Sequence, residues 1–389
     1  MITTVSHNVG DDFVRDGIIY LLGRLLPDFQ VAQVHKHQPI TSRPEWEWVY
    51  TRGYCSLMDR MPGGARLHAA SRLDRLLPLN TQTDKVLNCD LLVQCGAPVY
   101  WLHGANSCAR SEWYGPLIRR RWSRVRDRVP FLNLAGGSCQ TYQSNGKEFE
   151  GADETLAFIR EFFDDCRLTT LRDELAGKIL LTAGRTATIL PCTSIFARRR
   201  LRIEPQAPRF VALNYMRTGG HYRFVEGLAP TVWERTFGDF INRLPPNEEY
   251  VLVCHSRAEL ADARRLFPKI KTFWSTDYRA YVEFLAGAKY GIFNRVHAAF
   301  MLASFGRPSF VVGNDSRTRM SDLIGLKHAF VDEVTTARLL VELGRLQQTW
   351  GDYAQMMDET QRVAERTYLT LLRDVLSKSL RLRDGQPTD

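Results

Sequence analysis

Apolar positions in the first part of the chain alternate between two spacings, and this alternation predicts strands followed by helices. Apolar runs of strand length lie at 2–6, 90–94, 130–135, 168–171 and 188–190. Helical spacing begins at Val14 and ends before Pro27, and it returns at about 112–128, 153–165 and 174–182. Strands that alternate with helices are typical of a parallel sheet covered by helices.

The same alternation restarts after a basic, proline-containing stretch at 198–208, which we interpret as a linker. Strands are predicted at 210–215, 249–254, 290–293 and 309–312, and helices at 228–242, 258–266, 277–287, 296–304, 334–349 and 352–381. The pattern therefore predicts an α/β protein with two domains and a cleft between them. We place the first domain at 1–200, the second at 209–350, and a C-terminal helix with a frayed tail at 351–389.

Composition is that of a folded protein with reduced thiols. The chain has 389 residues, an apolar share of 44% and a net charge of +9, and no apolar run reaches the length of about 18 residues typical of a membrane-spanning helix. The N-terminus lacks the basic flank and apolar core of a secretory signal. The eight cysteines are scattered and show no Cys-x-x-Cys spacing. These features predict a cytoplasmic location.

The densest positive charge lies between Arg119 and Arg128. We interpret this cluster as a solvated helix face, because no aromatic-interleaved RNA motif and no zinc finger accompanies it. We therefore predict no nucleic-acid partner. Contact with an acidic glycan, or peripheral contact with a membrane surface, stays open as an alternative.

The strongest local signal for chemistry is Arg295-Val296-His297, which stands where a predicted strand ends and a helix begins. A helix N-terminus binds anions through free N–H groups and the helix dipole. Arginine adds a planar fork for carboxylate or phosphate, and histidine titrates near neutral pH. We take Arg295 and His297 as candidate catalytic residues, the alternative being a helix-capping arginine and a buried, satisfied histidine.

Three further segments follow predicted strands. In the first, Gly219-Gly220 allow close backbone approach beside Arg217, His221 and Arg223, and the alternative is a basic surface turn. In the second, Cys254 and His255 point to opposite faces of a strand, so we expect Cys254 in the core and His255 at a cap or at the cleft. In the third, Asp315 could accept hydrogen bonds from sugar hydroxyls and Arg317 could hold an anion, or both could belong to a helix N-cap. No histidine spacing typical of a metal site occurs, so no metal site is predicted.

Taken in order, these segments resemble the polysaccharide pyruvyl transferase family. Asn8-Val9-Gly10-Asp11-Asp12 before an apolar helix resembles the family's Asn-x-Gly-Asp start, and Arg172-Asp173, Gly184 and Pro191-Cys192 resemble its Arg-Asp, Gly and Pro-Cys positions. Met216-Arg217, His255, Gly306-x-Pro308 and Asp315 also fit, and Arg295-Val296-His297-Ala298 resembles the Arg-Leu-His signature with Val in place of Leu. Two departures are a thinner glycine turn after the strand at 90–94 and a stretch at 30–88 without counterpart.

The resemblance implies two Rossmann-like domains facing across a cleft, similar to GT-B glycosyltransferases, with the last helix returning to the first domain. It implies transfer of the enolpyruvyl group of phosphoenolpyruvate to a sugar diol on a glycan or lipid-linked glycan, forming a pyruvate ketal without a cofactor. His297 would act as the general acid beside Arg295. The donor anion would be bound by Arg217, Arg295, His255, His221 and Arg223, and the acceptor by Asn8, Asp11, Asp12, Asp315 and Arg317.

Two other functions stay open. A GT-B nucleotide-sugar glycosyltransferase would also place arginine and a diphosphate near helix N-termini of the second domain. It would need a carboxylate for the ribose, and Glu259 is a poor candidate because it lies one turn into a helix. A non-catalytic glycan- or anion-binding protein would place Arg295 and His297 in different cavities or in solvent.

Overall fold

The computed structural model describes residues 1–3, 9–26, 28–35, 85–86, 88–102, 114, 128–217, 219 and 230–379, and the statements below concern these residues. The predicted helix at 112–128 falls almost wholly outside them, as do Asn8, His221 and Arg223.

The first half of the chain forms a sheet of seven parallel strands. These are β1 (Ile2–Thr3), β2 (Val34–His35), β3 (Leu92–Cys95), β4 (Pro98–Tyr100), β5 (Phe131–Ser138), β6 (Leu168–Leu171) and β7 (Thr188–Ile189). They are ordered β2-β1-β3-β5-β6-β7, and β4 pairs with β5 outside this path. The helices of this half are α1 (Val9–Gly23), α2 (Asp153–Asp165), α3 (Glu174–Thr182) and α4 (Ala197–Leu201). Because β3 and β5 are buried along their whole length, both faces of the sheet are covered.

The second half forms a parallel sheet of six strands, which are β8 (Phe210–Leu213), β9 (Tyr250–Val253), β10 (Lys271–Phe273), β11 (Ala288–Phe293), β12 (Ser309–Gly313) and β13 (Lys327–Phe330). Its helices are α5 (Pro230–Asn242), α6 (Arg257–Leu266), α7 (Tyr278–Leu285), α8 (Val296–Ser304) and α9 (Thr336–Thr349). The order β10-β9-β8-β11-β12-β13 is that of a doubly wound Rossmann-like sheet. The winding reverses between β8 and β11, and a crevice forms beyond the carboxyl ends of strands at such a point.

The α/β fold with two Rossmann-like halves is therefore confirmed, but four strands were missed and one segment was misread. The missed strands β2, β4, β10 and β13 are only two to four residues long. The predicted linker at 198–208 is partly wrong, because Arg198 to Leu201 lie within α4.

Helix α1 ties the two halves together. Its Phe13 ring lies 6.0 Å from the Tyr281 ring of α7, and a Cβ added at Gly17 would lie 1.8 Å from the carbonyl oxygen of Thr193. Gly17 therefore allows the helix to approach that backbone closely. One apolar cluster contains residues of α1, β5, α7 and α8 and so runs through both halves.

The last helix, α10 (Tyr353–Ser379), also contacts both halves. The Gln361 amide donates to the carbonyl oxygens of Ile195, at 3.0 Å, and Ser304, at 3.2 Å. Tyr368 donates to the carbonyl of Pro191 at 3.1 Å. The domain boundaries at 1–200, 209–350 and 351–389 stay a prediction. Among the described helices, none combines the length and apolar character needed to cross a membrane.

Candidate functional site

The carboxyl ends of the two sheets face each other, and polar side chains lie between them. Beyond β5 and β12, the hydroxyls of Ser138 and Ser316 lie 3.1 Å apart, and the Gln140 N–H donates to the Ser316 hydroxyl at 2.9 Å. Beyond β6 and β11, Arg172 Nη1 lies 3.3 Å from His297 Nε2. We call this region the junction. It brings Arg172 and Asp173, which sequence reasoning had quoted only as a motif, beside the candidate catalytic residue His297.

Arg172 is a buried cation of the junction. It is 1% exposed, and its Nη1 donates to the carbonyl of Gly96 at 2.6 Å. Its Nε has no hydrogen-bond partner, and no carboxylate of the described residues lies within ion-pair distance of the guanidinium. A Cβ added at Gly137 would lie 2.5 Å from that Nε, so a glycine is needed where the strand passes the guanidinium.

The neighbouring Asp173 does not neutralise Arg172, because its oxygens are used elsewhere. It caps α3 by accepting from the Ala176 N–H at 2.7 Å, and it accepts from the Ser138 N–H at 2.9 Å and the Ser138 hydroxyl at 2.7 Å. Asp173 therefore fixes the start of α3 and the end of β5, and both position Arg172.

His297 lies in an electropositive environment. Burial lowers its pKa well below 6.5, and the charges of Arg172 and Arg317 lower it further, while Asp11 opposes them. Because arginine can only donate, His297 Nε2 accepts from Arg172 and the proton of the neutral ring lies on Nδ1. The predicted general-acid role needs a protonated ring, which this environment disfavours. The neutral ring can still donate from Nδ1.

The N-terminus of α8 also lies at the junction. Arg295 is its N-cap residue, and no side chain caps the helix there. Side chains cap α3, α6, α7 and α9, whereas α2 and α4 resemble α8 in having no side-chain cap. The positive end of the α8 dipole therefore faces the junction next to His297, the second residue of the helix.

Arg295 is engaged by a carboxylate, and this was not expected from the sequence. Its Nε and Nη2 donate to Glu259 Oε1 at 2.8 and 2.5 Å. Glu259 Oε2 accepts from the His255 N–H at 2.9 Å and the Asn214 amide at 3.1 Å. Burial alone would raise the pKa of Glu259, but Arg295, His255 and these hydrogen bonds outweigh burial and hold it below 4.5.

Glu259 was set aside because it lies one turn into α6, yet that turn folds back to the strand end. Ser256 is the N-cap, and its hydroxyl accepts from the Glu259 N–H at 3.2 Å. The Glu259 carboxylate reaches back to the N–H of His255, one residue before the N-cap, whereas in a capping box it would bind the N–H of the N-cap residue itself. The Ser-x-x-Glu spacing was thus a readable signal for the position of this carboxylate.

His255 lies where the two halves touch, with its ring 6.3 Å from Phe13 of α1 and 5.2 Å from Tyr281 of α7. The pKa of His255 is lowered to about 3, chiefly by burial; the charge of Glu259 opposes this effect and that of Arg295 adds to it. Neither ring nitrogen has a partner among the described residues. A neutral His255 could give an anion one hydrogen bond but no charge, so its predicted place in the donor site would not rest on charge. As expected, Cys254 is buried.

The predicted acceptor residues fall into two groups. Asp11, at the start of α1, is 7% exposed, and its charge acts on His297. Asp12 instead forms an ion pair with Arg15 at 2.5 Å, and burial raises its pKa to about 6. Asp11 therefore lies near enough to His297 for its charge to act on the imidazole, whereas Asp12 is engaged by Arg15.

Asp315 and Arg317 bind each other beyond β12. Asp315 is 3% exposed and accepts from Arg317 Nε at 2.9 Å and Nη2 at 2.6 Å, and it also accepts from the Arg317 N–H at 3.0 Å. The helix-cap alternative therefore describes this pair, and a sugar hydroxyl would have to compete with Arg317 for Asp315.

Arg217 is exposed at the end of β8. The backbone before it is held at the reversal of the winding, because the Met216 N–H donates to the Asn294 amide oxygen at 2.9 Å and the Arg295 N–H to that of Asn214 at 3.0 Å. The convergence of Arg217 with Arg295 and His297 stays a prediction. In the part of the chain that the structure describes, no group of three or more His, Cys, Asp or Glu side chains could hold a metal ion.

Comparisons with known proteins identify the fold. No protein-family model and no curated protein sequence matches the chain. A solved protein from Listeria monocytogenes, assigned as a UDP-N-acetylglucosamine 2-epimerase, is 12% identical with a TM-score of 0.56 and covers 100% of this chain and 98% of its own. The MnaA structure of S. aureus with UDP is 12% identical with a TM-score of 0.54, covering 100% and 98%.

A third solved protein, the UDP-GlcNAc 2-epimerase of Neisseria meningitidis bound to UDP-GlcNAc, is 11% identical with a TM-score of 0.52 and covers 97% of this chain and 99% of its own. At this identity the likeness shows a GT-B-type fold and nothing finer. None of these matches points to the polysaccharide pyruvyl transferase family.

Proposed function

We propose that the chain is a nucleotide-sugar glycosyltransferase and that its donor diphosphate binds beside Arg172 at the junction. The observation that carries this proposal is a buried guanidinium without a carboxylate partner. Burying a charge without a counter-charge costs several kcal/mol, and an anionic ligand would remove that cost.

Arg172 is a better diphosphate ligand than the other two arginines near the junction. Arg295 already binds Glu259 at 2.5 Å, and Arg317 already binds Asp315 at 2.6 Å. Only the Arg172 charge is left for a ligand among these three. The uncapped N-terminus of α8, next to His297, supplies N–H groups and dipole to the same phosphate.

The fold supports a nucleotide sugar over phosphoenolpyruvate as the donor. Of the three similar structures, one was solved with UDP and another with UDP-GlcNAc. The crevice between β8 and β11, where Asn214 and Asn294 hold the strand ends, is where doubly wound sheets bind nucleotides. This support is analogy of fold, and the junction chemistry above is independent of it.

The transfer step assigns roles to three residues of the junction. The bond from the anomeric carbon to the diphosphate breaks as the acceptor oxygen attacks, and Arg172 and α8 stabilise the charge that grows on the leaving diphosphate. Neutral His297 donates from Nδ1 to a phosphate or sugar oxygen. Asp11 receives the proton of the acceptor hydroxyl.

Pyruvyl transfer is the second candidate, and one contact favours it. Arg172 and His297 belong to two separate motifs of that resemblance, and they meet at 3.3 Å. The same electropositive setting lowers the pKa of His297, however, and a general acid that protonates the enolpyruvyl carbon would need the opposite.

The test is calorimetric titration of the purified protein with a panel of nucleoside diphosphates, their sugars and phosphoenolpyruvate. We expect saturable binding of a nucleoside diphosphate and its sugar and none of phosphoenolpyruvate. Binding of phosphoenolpyruvate alone would overturn the proposal in favour of pyruvyl transfer. A turnover assay that follows nucleotide release with glycan acceptors completes the test, because binding without release identifies a non-catalytic binding protein.

A further inference from the structure

A groove runs along α1 at a place separate from the junction. Two adjoining cavities of about 480 and 440 Å³ share Ile19, Val31, Arg200 and Arg202 in their lining, so they form one continuous groove. The groove is lined by the arginines Arg15, Arg24, Arg199, Arg200, Arg202 and Arg279. We call it the arginine groove.

The arginine groove carries an excess of positive charge, although the carboxylate of Asp16 also lines it and pairs with Arg15 at 3.2 Å. At its ends, Arg15 pairs with Asp12 at 2.5 Å and Arg279 with Glu283 at 2.8 Å. Glu365 serves both Arg199, at 2.5 Å, and Arg24, at 3.8 Å. For Arg200 and Arg202, which line both cavities, no carboxylate of the described residues lies within ion-pair distance.

Arg202 occupies a backbone conformation that arginine rarely adopts. It is the C-cap of α4 with φ 57° and ψ 44°, and its N–H donates to the carbonyls of Arg198 and Arg199. Glycine usually takes such a left-handed position after a helix because it has no Cβ. Backbone strain of this kind persists where the surrounding structure imposes it, and it clusters at functional sites.

The basic run around α4 divides into two roles. Arg198 turns inward, where its Nε donates to the carbonyl of Ser304 at 2.5 Å and its guanidinium lies 5.6 Å over the Phe305 ring. Arg199, Arg200 and Arg202 line the arginine groove instead. Arg199 lines the groove but is bound to α10, because it donates to Glu365 at 2.5 Å and to Gln361 at 2.8 Å. The run therefore serves the fold through Arg198 and Arg199, and the charges of Arg200 and Arg202 are the ones without a carboxylate partner among the described residues.

We propose that the arginine groove binds a phosphate-bearing ligand that also has an apolar part. Arg200 and Arg202 would hold the phosphate, since guanidinium forks match phosphate oxygens. Ile19, Phe29 and Val31 line the groove beside them and would contact the apolar part. Such a ligand is either a soluble phosphate ester or a phospholipid head group, and the site does not depend on the function proposed for the junction.

The test uses inorganic pyrophosphate and lipid vesicles as probes. All proteins carry Arg172→Gln, so that the junction does not contribute to pyrophosphate binding. The groove variant adds Arg200→Ala and Arg202→Gly, and the matched control adds Arg264→Ala, which removes an exposed arginine of α6. Because Arg202→Gly suits the left-handed backbone, the groove variant should melt at the same temperature as the control or higher.

We expect the groove variant to bind pyrophosphate about tenfold more weakly or worse, while the control is unchanged. Flotation with phosphatidylcholine vesicles, with and without phosphatidylglycerol, distinguishes a phospholipid head group from a soluble phosphate ester as the ligand. Groove-dependent binding of the anionic vesicles indicates a phospholipid, and its absence beside groove-dependent pyrophosphate binding indicates a soluble ester. Equal behaviour of the groove variant and the control toward both probes, or no binding by either protein, would overturn the proposal.

Discussion

Two arginines at the carboxyl ends of the two sheets differ in whether a carboxylate neutralises their charge. Arg295, after β11, is held by Glu259 through two donated hydrogen bonds. Arg172, after β6, is more deeply buried, donates to a backbone carbonyl and to His297, and has no carboxylate partner among the described residues. An ion pair formed between two residues of the chain stabilises the fold. A buried cation without a carboxylate partner is stabilised when an anionic ligand binds beside it.

This contrast is the reason why we propose Arg172 and not Arg295 as the main ligand of the anion. Arg295 was the expected anion ligand, but its guanidinium is largely committed to Glu259. Arg172 comes from the other half of the chain, so a ligand there is shared by both halves. Such a ligand would couple its binding to the relative position of the halves.

The largest effect on stability is expected from Glu259→Gln. The amide keeps the shape but removes the counter-charge of Arg295, and breaking a buried pair in this way costs about 3 kcal/mol. Chemical denaturation measures the loss. Glu283→Gln is the matched control, because its pair with Arg279 is exposed and should contribute less than about 1 kcal/mol. Equal losses in the two variants would remove the distinction between a structural pair and a surface pair.

Arg172→Gln should act on ligand affinity and spare the fold. Losing a charge-assisted contact to the diphosphate costs about 1.5–3 kcal/mol, so binding of the nucleoside diphosphate should weaken about tenfold or more. Arg172→Lys keeps the charge without the planar fork and should fall between wild type and Arg172→Gln. Calorimetry with each variant provides the affinities. Unchanged affinity in Arg172→Gln would place the diphosphate elsewhere.

The two buried histidines make stability depend on pH. The folded pKa of His255 is about 3 and that of His297 is also below 6.5, so the unfolded chain binds protons more readily. Their contribution is complete above pH 6.5 and is lost as the pH falls below it, by up to about 1.4 kcal/mol per pH unit for each histidine.

Asp12 opposes this trend, because burial raises its folded pKa to about 6 and the folded state then gains protons as the pH falls. Comparing wild type with His255→Gln isolates the histidine, since Asp12 is present in both. Melting curves recorded near pH 7 and at lower pH should show a shallower decline for the variant. The same decline in both proteins would contradict a neutral, buried His255.

The last comparison concerns Asp315→Asn. The pair of Asp315 with Arg317 is as buried as that of Glu259 with Arg295, but asparagine can still accept from the Arg317 N–H at the N-cap, so we expect a loss of about 3 kcal/mol or less in unfolding free energy. Denaturation checks this value. In a turnover assay, a large rise in the acceptor KM of Asp315→Asn would instead support the predicted contact with a sugar hydroxyl.

The sequence predicted elements best where apolar runs are long and buried. Val296–Ser304 and Leu168–Leu171 have the predicted bounds, and most residues of both elements are buried. The strand Lys271–Phe273 was missed because it lies at the sheet edge, is half-buried at most and is only three residues long. Short edge strands are defined by their neighbour's hydrogen bonds, and a single sequence does not show these.

The sequence predicted the strand-to-helix transition that carries Arg295 and His297, but not the contacts that these two residues make. Arg295 and His297 were located from the strand-to-helix transition, which is a local feature of the sequence. That Glu259 would occupy Arg295 and that Arg172 would reach His297 are contacts across 36 and 125 residues. Their partners are set by which strand ends the topology brings together, and residue spacing carries no information on that.

The most direct measurement of the central claim is thermal unfolding of wild type and Arg172→Gln, each with and without saturating nucleoside diphosphate. A ligand that binds only the folded state raises the Tm. We expect that the same concentration of ligand raises the Tm of wild type clearly more than that of Arg172→Gln, and that the two proteins unfold at similar temperatures, or the variant later, without ligand. A variant that loses stability without ligand and keeps the full ligand-induced shift would show that Arg172 serves the fold and not an anion.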